Sequence, residues 1–107
     1  MILLAVIVRV YWSVALATFA AIGSPHTHVK IDGYVAYAKP ELDGDLHIRL
    51  VGISGAPSPF VTAECIPSLP CVKPKTMDHV LVSGISRKDG EHGWTEIHPV
   101  EKIEVLP

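Results

Sequence analysis

The chain has 107 residues, of which 9 are Lys or Arg and 11 are Asp or Glu, so its formal net charge is −2 with histidine neutral. A chain of this length forms one domain at most. The acidic balance argues against a nucleic-acid groove, because neutralisation of phosphates by Lys and Arg supplies most non-specific affinity for nucleic acid. We therefore expect a protein or small-molecule partner, whose identity the composition does not specify.

Residues 1–23 are almost wholly apolar or small and carry one charge, Arg9. An apolar run that ends in small residues, here before Ser24, is typical of a cleaved secretory signal peptide. An uncleaved membrane anchor ranks second, since about 20 residues span a bilayer, although Arg9 would then lie inside the span at a cost of a few kcal/mol. A helix packed on the domain ranks third. The first interpretation predicts an exported protein, periplasmic or secreted, and the second predicts a protein anchored in the membrane by residues 1–23.

Residues 24–107 contain alternating segments separated by Gly and Pro, and we expect them to form a single domain. In Val29–Ala38 apolar and polar residues alternate, which predicts a half-buried strand with Tyr37 on its apolar face. Gly33 inside this strand indicates a bulge or a sharp bend. The Asp-Gly pair at positions 43–44 is a strong hairpin signal. The first strand should therefore turn back into a second one.

The second predicted strand has the clearest alternation in the chain. Leu46, Ile48 and Leu50 alternate with polar residues, which predicts one buried and one outward face. An acid, an imidazole and a guanidinium should lie in line along the outward face. These outward residues are Asp45, His47 and Arg49.

Three further strands are predicted at Phe60–Ile66, Val80–Ile85 and Thr95–Val105. The connection at 67–78 contains three prolines, which exclude a regular helix. Pro99 in the last strand indicates a bulge, because proline cannot donate to a ladder. Short strands with bends and one long connection predict an all-β fold, a small five-stranded Greek-key barrel that is OB-fold-like and preceded by an N-terminal hydrophobic segment.

The two cysteines, Cys65 and Cys71, flank a short loop that contains proline. In an exported chain an even number of cysteines favours a disulfide. Two buried thiols are the alternative. A soft-metal site is less expected, because the chain has no second pair of cysteines.

From about Val29 to its end, the chain resembles small bacterial OB-fold proteins of uncharacterised function. The similarity rests on Asp-Gly-Asp-Leu-His-Ile-Arg-Leu at 43–50, Ala-Glu-Cys at 63–65, Val-Leu-Val-Ser-Gly at 80–84 and His-Gly-Trp-Thr-Glu-Ile-His-Pro-Val at 92–100. The resemblance implies the fold and no particular reaction. A looser similarity, in architecture and compartment, is to periplasmic bacterial OB-fold proteins regarded as binding modules.

Polar residues on the second, third and fifth predicted strands are the candidates for a binding site. They are Asp45, His47, Arg49, Glu64, Glu96 and His98. Among them His47, His98 and Glu64 are candidate metal ligands, since imidazole and carboxylate groups at alternate strand positions can converge on a divalent ion. The structural alternative is that Glu96 and His98 only brace the last strand against the hairpin. We interpret Trp94 as an aromatic anchor for the closing loop.

Two functions are compatible with these residues. One is an exported binding or interaction module, without a cofactor, that uses the outer face of the second and third strands, the usual recognition face of OB barrels. The other is a divalent-metal protein, with hydrolysis as one use of the ion, and it requires at least three of the polar residues to converge. No nucleophile with an adjacent base stands out, so we expect a non-enzymatic role ahead of catalysis.

Overall fold

The computed structural model of the protein describes residues 10–88, 90, 93 and 95–107. Within these residues, the regular structure consists of one short helix and six strands. They are β1 (Trp12–Ser13), α1 (Leu16–Ile22), β2 (His28–Pro40), β3 (Leu46–Val51), β4 (Phe60–Cys65), β5 (His79–Lys88) and β6 (Thr95–Val105). Trp94, the expected anchor of the closing loop, lies outside the described residues, as do residues 1–9 of the predicted signal segment.

Strands β2 to β6 form a closed five-stranded barrel. The strand order is β2-β3-β4-β6-β5, and β5 pairs back onto β2 to close the ring. β4 and β6 run parallel, whereas the other barrel pairs are antiparallel. The predicted Greek-key, OB-fold-like barrel is therefore confirmed. β1 is an extra strand that pairs in parallel with the beginning of β2.

The barrel core is made by alternate residues of each strand, as the period-two pattern requires. The buried set contains most of the residues predicted to face inward on the first two strands and continues around the barrel, whereas Tyr37 and Leu46 are only half-buried. Its strand residues are Val29, Ile31, Val35, Ile48, Leu50, Val61, Ala63, Cys65, Val80, Val82, Ile97 and Val100. Because one face of each strand is buried, the opposite face of β3, β4 and β6 is left to carry polar groups.

The helix α1 contributes to the same core. Phe19 is fully buried and Leu16 nearly so, and both belong to the hydrophobic cluster of the barrel. A Cβ on Gly33 would lie 2.8 Å from Leu16 Cδ1, so the missing side chain in β2 is what lets the helix approach. No helix within residues 10–88 or 95–107 has the length and apolar character to cross a membrane. Within the described part of the apolar N-terminal segment, Leu16 and Phe19 therefore supply part of the domain interior.

A β-bulge in β2 reverses the orientation predicted for one aromatic residue. Val35 pairs with Leu50 and Tyr37 pairs with Arg49, so the residue between them, Ala36, has no partner of its own. The extra residue shifts the alternation by one, and Tyr37 lies on the outer face rather than with the apolar set. The bulge lies here and not at Gly33, which is in regular register with β5.

The two cysteines form a disulfide. Cys65 ends β4, and its bond to Cys71 ties the proline-containing loop to the barrel, with 5.9 Å between the two Cα atoms. The predicted pairing is confirmed, and it is compatible with an exported protein. Residues 66–78 contain no helix, as their prolines predict.

Replacing Cys71 with alanine should lower the free energy of unfolding by roughly 2 kcal/mol, because the loop it closes is short and the unfolded chain regains little entropy. The measurement is the urea midpoint under oxidising conditions. Wild-type protein treated with reductant is the control and should unfold at the midpoint of the variant. If neither the substitution nor the reductant moves the wild-type midpoint, the disulfide does not stabilise the barrel.

Candidate metal centre

The polar face of β3, β4 and β6 is assembled by strand register. His47 on β3 pairs directly with Glu64 on β4. β6 runs parallel to β4 with Glu96 beside Thr62, which brings His98, two residues further along, next to Glu64. The carboxylate of Glu64 therefore lies between two imidazoles that come from strands on either side.

Glu64 contacts each imidazole through a different oxygen. Its Oε1 lies 3.1 Å from Nδ1 of His47, and its Oε2 lies 3.0 Å from Nδ1 of His98. The three side chains are between 16% and 19% exposed. They are sheltered enough to lose hydration and open enough to be reached from solvent.

Three more carboxylates surround this central group. Oε1 of Glu41 lies 2.9 Å from Nδ1 of His47, and Oε1 of Glu96 lies 3.2 Å from Nδ1 of His98. Asp45 faces the other ring nitrogen of His98, with 3.7 Å between Oδ2 and Nε2. The cluster thus holds four carboxylates and two imidazoles, and it stays negatively charged even when both histidines are protonated.

The surroundings of Glu64 shift the pKa of its carboxyl group. Burial raises the pKa of the Glu64 carboxyl above its usual value, and the neighbouring Glu96 acts in the same direction. The attraction of His98 and His47 for the carboxylate lowers the pKa and offsets part of that rise. A cation in the cluster would favour the ionised carboxylates.

Two sets of three residues have the spacing of metal ligands. One is Glu41, His47 and Glu64, and the other is Asp45, Glu64 and His98. Within each set the potential ligand atoms all lie within 4.8 Å of one another. Ligand atoms around a tetrahedral zinc ion lie roughly 3.4 Å apart, so the side chains of either set would have to move closer together to hold an ion.

Five of the six predicted site residues come together in this cluster, namely Asp45, His47, Glu64, Glu96 and His98. Arg49 lies on the same face but makes different contacts. Its guanidinium carbon is 4.0 Å from the centroid of the Phe60 ring and 5.3 Å from that of Tyr37. Tyr37 in turn stacks on His47, with 5.9 Å between ring centroids. Arg49 and the aromatic rings therefore border the cluster.

Two residues of the face were not predicted from the sequence. Glu41 lies two residues before the Asp-Gly pair, and its backbone N–H donates to the carbonyl of Asp45 at 2.8 Å. A two-residue Asp-Gly turn would pair Glu41 with the inward Leu46, whereas Leu46 pairs with Pro40 in the structure, so the turn signal does not predict that Glu41 lies beside Asp45. The alternation does not predict the outward position of Tyr37, because its orientation depends on the bulge at Ala36.

Thr62 is a buried polar residue at the edge of the cluster. It is 0% exposed, and its Oγ1 has no hydrogen-bond partner among the described residues. It lies between Arg49 on β3 and Glu96 on β6. Since leaving a buried hydroxyl unpaired costs about 1–3 kcal/mol, this face carries a hydrogen-bonding group that the barrel itself does not satisfy.

No protein-family model matches the chain, and no curated protein matches it. The resemblance to small bacterial OB-fold proteins stays a prediction, whereas the barrel that it implies is observed. The function must therefore be argued from the residues of the cluster.

Proposed function

We propose that the protein binds a divalent transition-metal ion on the outer face of its barrel, through Asp45, Glu64 and His98. The observation that carries the proposal is the position of the Glu64 carboxylate, 3.0–3.1 Å from one nitrogen of each of two imidazoles. A half-buried group of four carboxylates repels itself, and a divalent ion would replace that repulsion with ligation.

The types of ligand favour zinc or a similar ion. Imidazole nitrogen suits zinc, copper, iron and nickel, and carboxylate oxygen is a common further ligand of zinc. Structural zinc sites are closed by four protein ligands, whereas catalytic sites have three and keep a position for water. An ion held by three side chains on an accessible face would lower the pKa of its bound water, which supports hydrolysis as a use of the site.

A binding module that needs no ion is the second candidate. Arg49 stacks over Phe60 and Tyr37 next to the cluster, which gives the face a cation framed by aromatic rings. β3 and β4 occupy the positions of the second and third strands of an OB barrel, whose outer face is the usual recognition surface. This candidate predicts ligand binding that is independent of metal.

Both functions would operate outside the cytoplasm. We infer a periplasmic or secreted protein from the Cys65–Cys71 disulfide, because such bonds persist in oxidising compartments. The apolar composition of residues 1–23 also supports export, with the segment either cleaved or retained.

Substituting His98 with alanine should weaken zinc binding by at least about 10–100-fold, since even residues that only orient metal ligands have effects of this size. The measurement is zinc titration by calorimetry on full-length protein produced without a histidine tag and freed of metal. His79→Ala is the matched control, because His79 pairs with Asp32 at 2.5 Å, away from the cluster. Its affinity should equal that of the wild type.

Zinc should also raise the stability of the wild type, by about 2.7 kcal/mol when free zinc is 100 times its dissociation constant. A wild-type protein that neither binds zinc nor is stabilised by it would exclude the metal function and leave the binding module. If His98→Ala and His79→Ala lost zinc affinity equally, zinc would be binding histidines nonspecifically.

A further inference from the structure

The geometry points to a pair of ions rather than one. We infer that Glu64 is a bridging ligand whose two oxygens hold two divalent ions, the second ion being bound by Glu41 and His47. This inference rests on the proposed metal function and specifies its stoichiometry. It assigns a separate role to each half of the cluster.

The first argument is the division of contacts around Glu64. Oε1 faces His47, which also contacts Glu41, while Oε2 faces His98. The two potential ligand sets share Glu64 and no other residue. In two-metal sites the ions lie roughly 3.5–4 Å apart, a distance that a carboxylate spans when each oxygen binds one ion.

The second argument is charge. Histidines must be neutral to bind a metal, so the cluster with both imidazoles ready to ligate carries the charge of its four carboxylates, those of Glu41, Asp45, Glu64 and Glu96. One divalent ion neutralises half of this charge. Two ions neutralise all of it, which removes the repulsion between carboxylates on a partly buried face.

The third argument is the number of ligands on each side. The first ion would have His98, Asp45 and one oxygen of Glu64, with Glu96 at 3.2 Å from Nδ1 of His98 as a further carboxylate. The second ion would have Glu41, His47 and the other oxygen of Glu64. Three or more protein ligands on each side are what a zinc ion with an open position requires.

Thr62 supplies an independent observation at the same place. Its hydroxyl is buried without a partner among the described residues, and the strand register places Thr62 next to Glu96 and two residues before Glu64. Water bound to a metal ion is a strong hydrogen-bonding group. The edge of the cluster therefore already contains a side chain that such water could engage.

The test is a stoichiometric zinc titration of full-length, metal-free protein together with three amide variants. Wild type should bind two zinc ions per chain. Glu41→Gln and Asp45→Asn should each retain one tight ion and weaken the other by about 10–100-fold, because each removes a ligand from one half. Glu64→Gln should weaken both ions. Glu104→Gln is the matched control, since Glu104 pairs with Lys102 outside the cluster.

The possible outcomes distinguish the failure of the two-ion inference from the failure of the proposed metal-binding function. Suppose that the wild type binds one zinc ion, which Asp45→Asn loses and Glu41→Gln keeps. This result would overturn the two-ion inference and leave the one-ion function intact. No bound zinc would overturn both. If Glu41→Gln bound two zinc ions as tightly as the wild type, the assignment of Glu41 as a ligand would also be overturned. Circular dichroism of each variant checks that its barrel is folded, and Glu41 is an exposed hairpin residue whose side chain can be changed without disturbing the core.

Discussion

Replacing Phe19 with alanine should destabilise the protein by about 3–5 kcal/mol, the range for truncation of a buried phenylalanine. Phe19 is fully buried, and it packs in the barrel core although it belongs to the N-terminal helix. Truncation removes most of an aromatic side chain from an interior that closed strands hold at a fixed width. The remaining cavity cannot collapse easily, so the loss should lie in the upper part of that range.

The control for this variant is on the same helix. Ile22 is 81% exposed, so Ile22→Ala removes an apolar side chain from solvent and should change stability by no more than about 0.5 kcal/mol. The stability of both variants is measured by urea unfolding of the full chain, monitored by circular dichroism. If the two variants unfold at the same midpoint, α1 does not form part of the core.

The same helix bears on the processing of the chain. Cleavage after Gly23, as a signal peptide predicts, would remove Leu16 and Phe19 from the barrel. A barrel that needs these side chains should keep them attached, and we expect the mass of the protein purified from its producing cells to include residues 16–22. A purified protein that begins at Ser24 and is as stable as the full chain would contradict the core role of α1.

Local patterns in the sequence account for most of the barrel. The alternation at 45–50 and the Asp-Gly turn before it fix both the hairpin and its buried face, because strand period and turn geometry are properties of neighbouring residues. The same reasoning placed His47 and Glu64 on outward faces. Because β3 and β4 pair in register, His47 and Glu64 then lie next to each other.

What the sequence did not predict depends on contacts between distant segments. The outward orientation of Tyr37 arises from a bulge that is set by the pairing of β2 with β3. The residue in the bulge, Ala36, is not of a type that indicates a bulge in the sequence. The alternation of the last strand also predicts that Val105 faces inward, and it does pair with the buried Val80, yet it is 60% exposed because it is the last residue of β6. Leu16 and Phe19, in the segment whose composition predicts a signal peptide, pack in the core. A packed helix ranked third in the sequence analysis, because hydrophobic patterning does not distinguish these uses, and the signal peptide itself stays a prediction.

Gly84→Ala should have the second largest effect, a loss of roughly 3 kcal/mol, at the upper end of the usual cost of overpacking. A Cβ at this position would lie 2.5 Å from Ile97 Cγ2 and 2.5 Å from the carbonyl oxygen of Pro99. The oxygen belongs to the backbone and cannot move without β6. Gly52→Ala is the matched control, because its Cβ would meet only Leu16 Cδ2, at 3.9 Å, and its stability should stay within about 0.5 kcal/mol of the wild type.

The position of Gly84 also links the packing of the barrel to the cluster of carboxylates and imidazoles. Gly84 lies opposite Val100, where the register between β5 and β6 shifts. The two groups that a new Cβ would displace, on Ile97 and Pro99, flank His98 in sequence. Gly84→Ala should therefore weaken zinc binding as well as stability, although residue 84 contributes no ligand, whereas Gly52→Ala should bind zinc like the wild type. A Gly84→Ala protein with reduced stability and unchanged zinc affinity would show that the cluster tolerates movement of β6, and that His98 is not held in place by this contact.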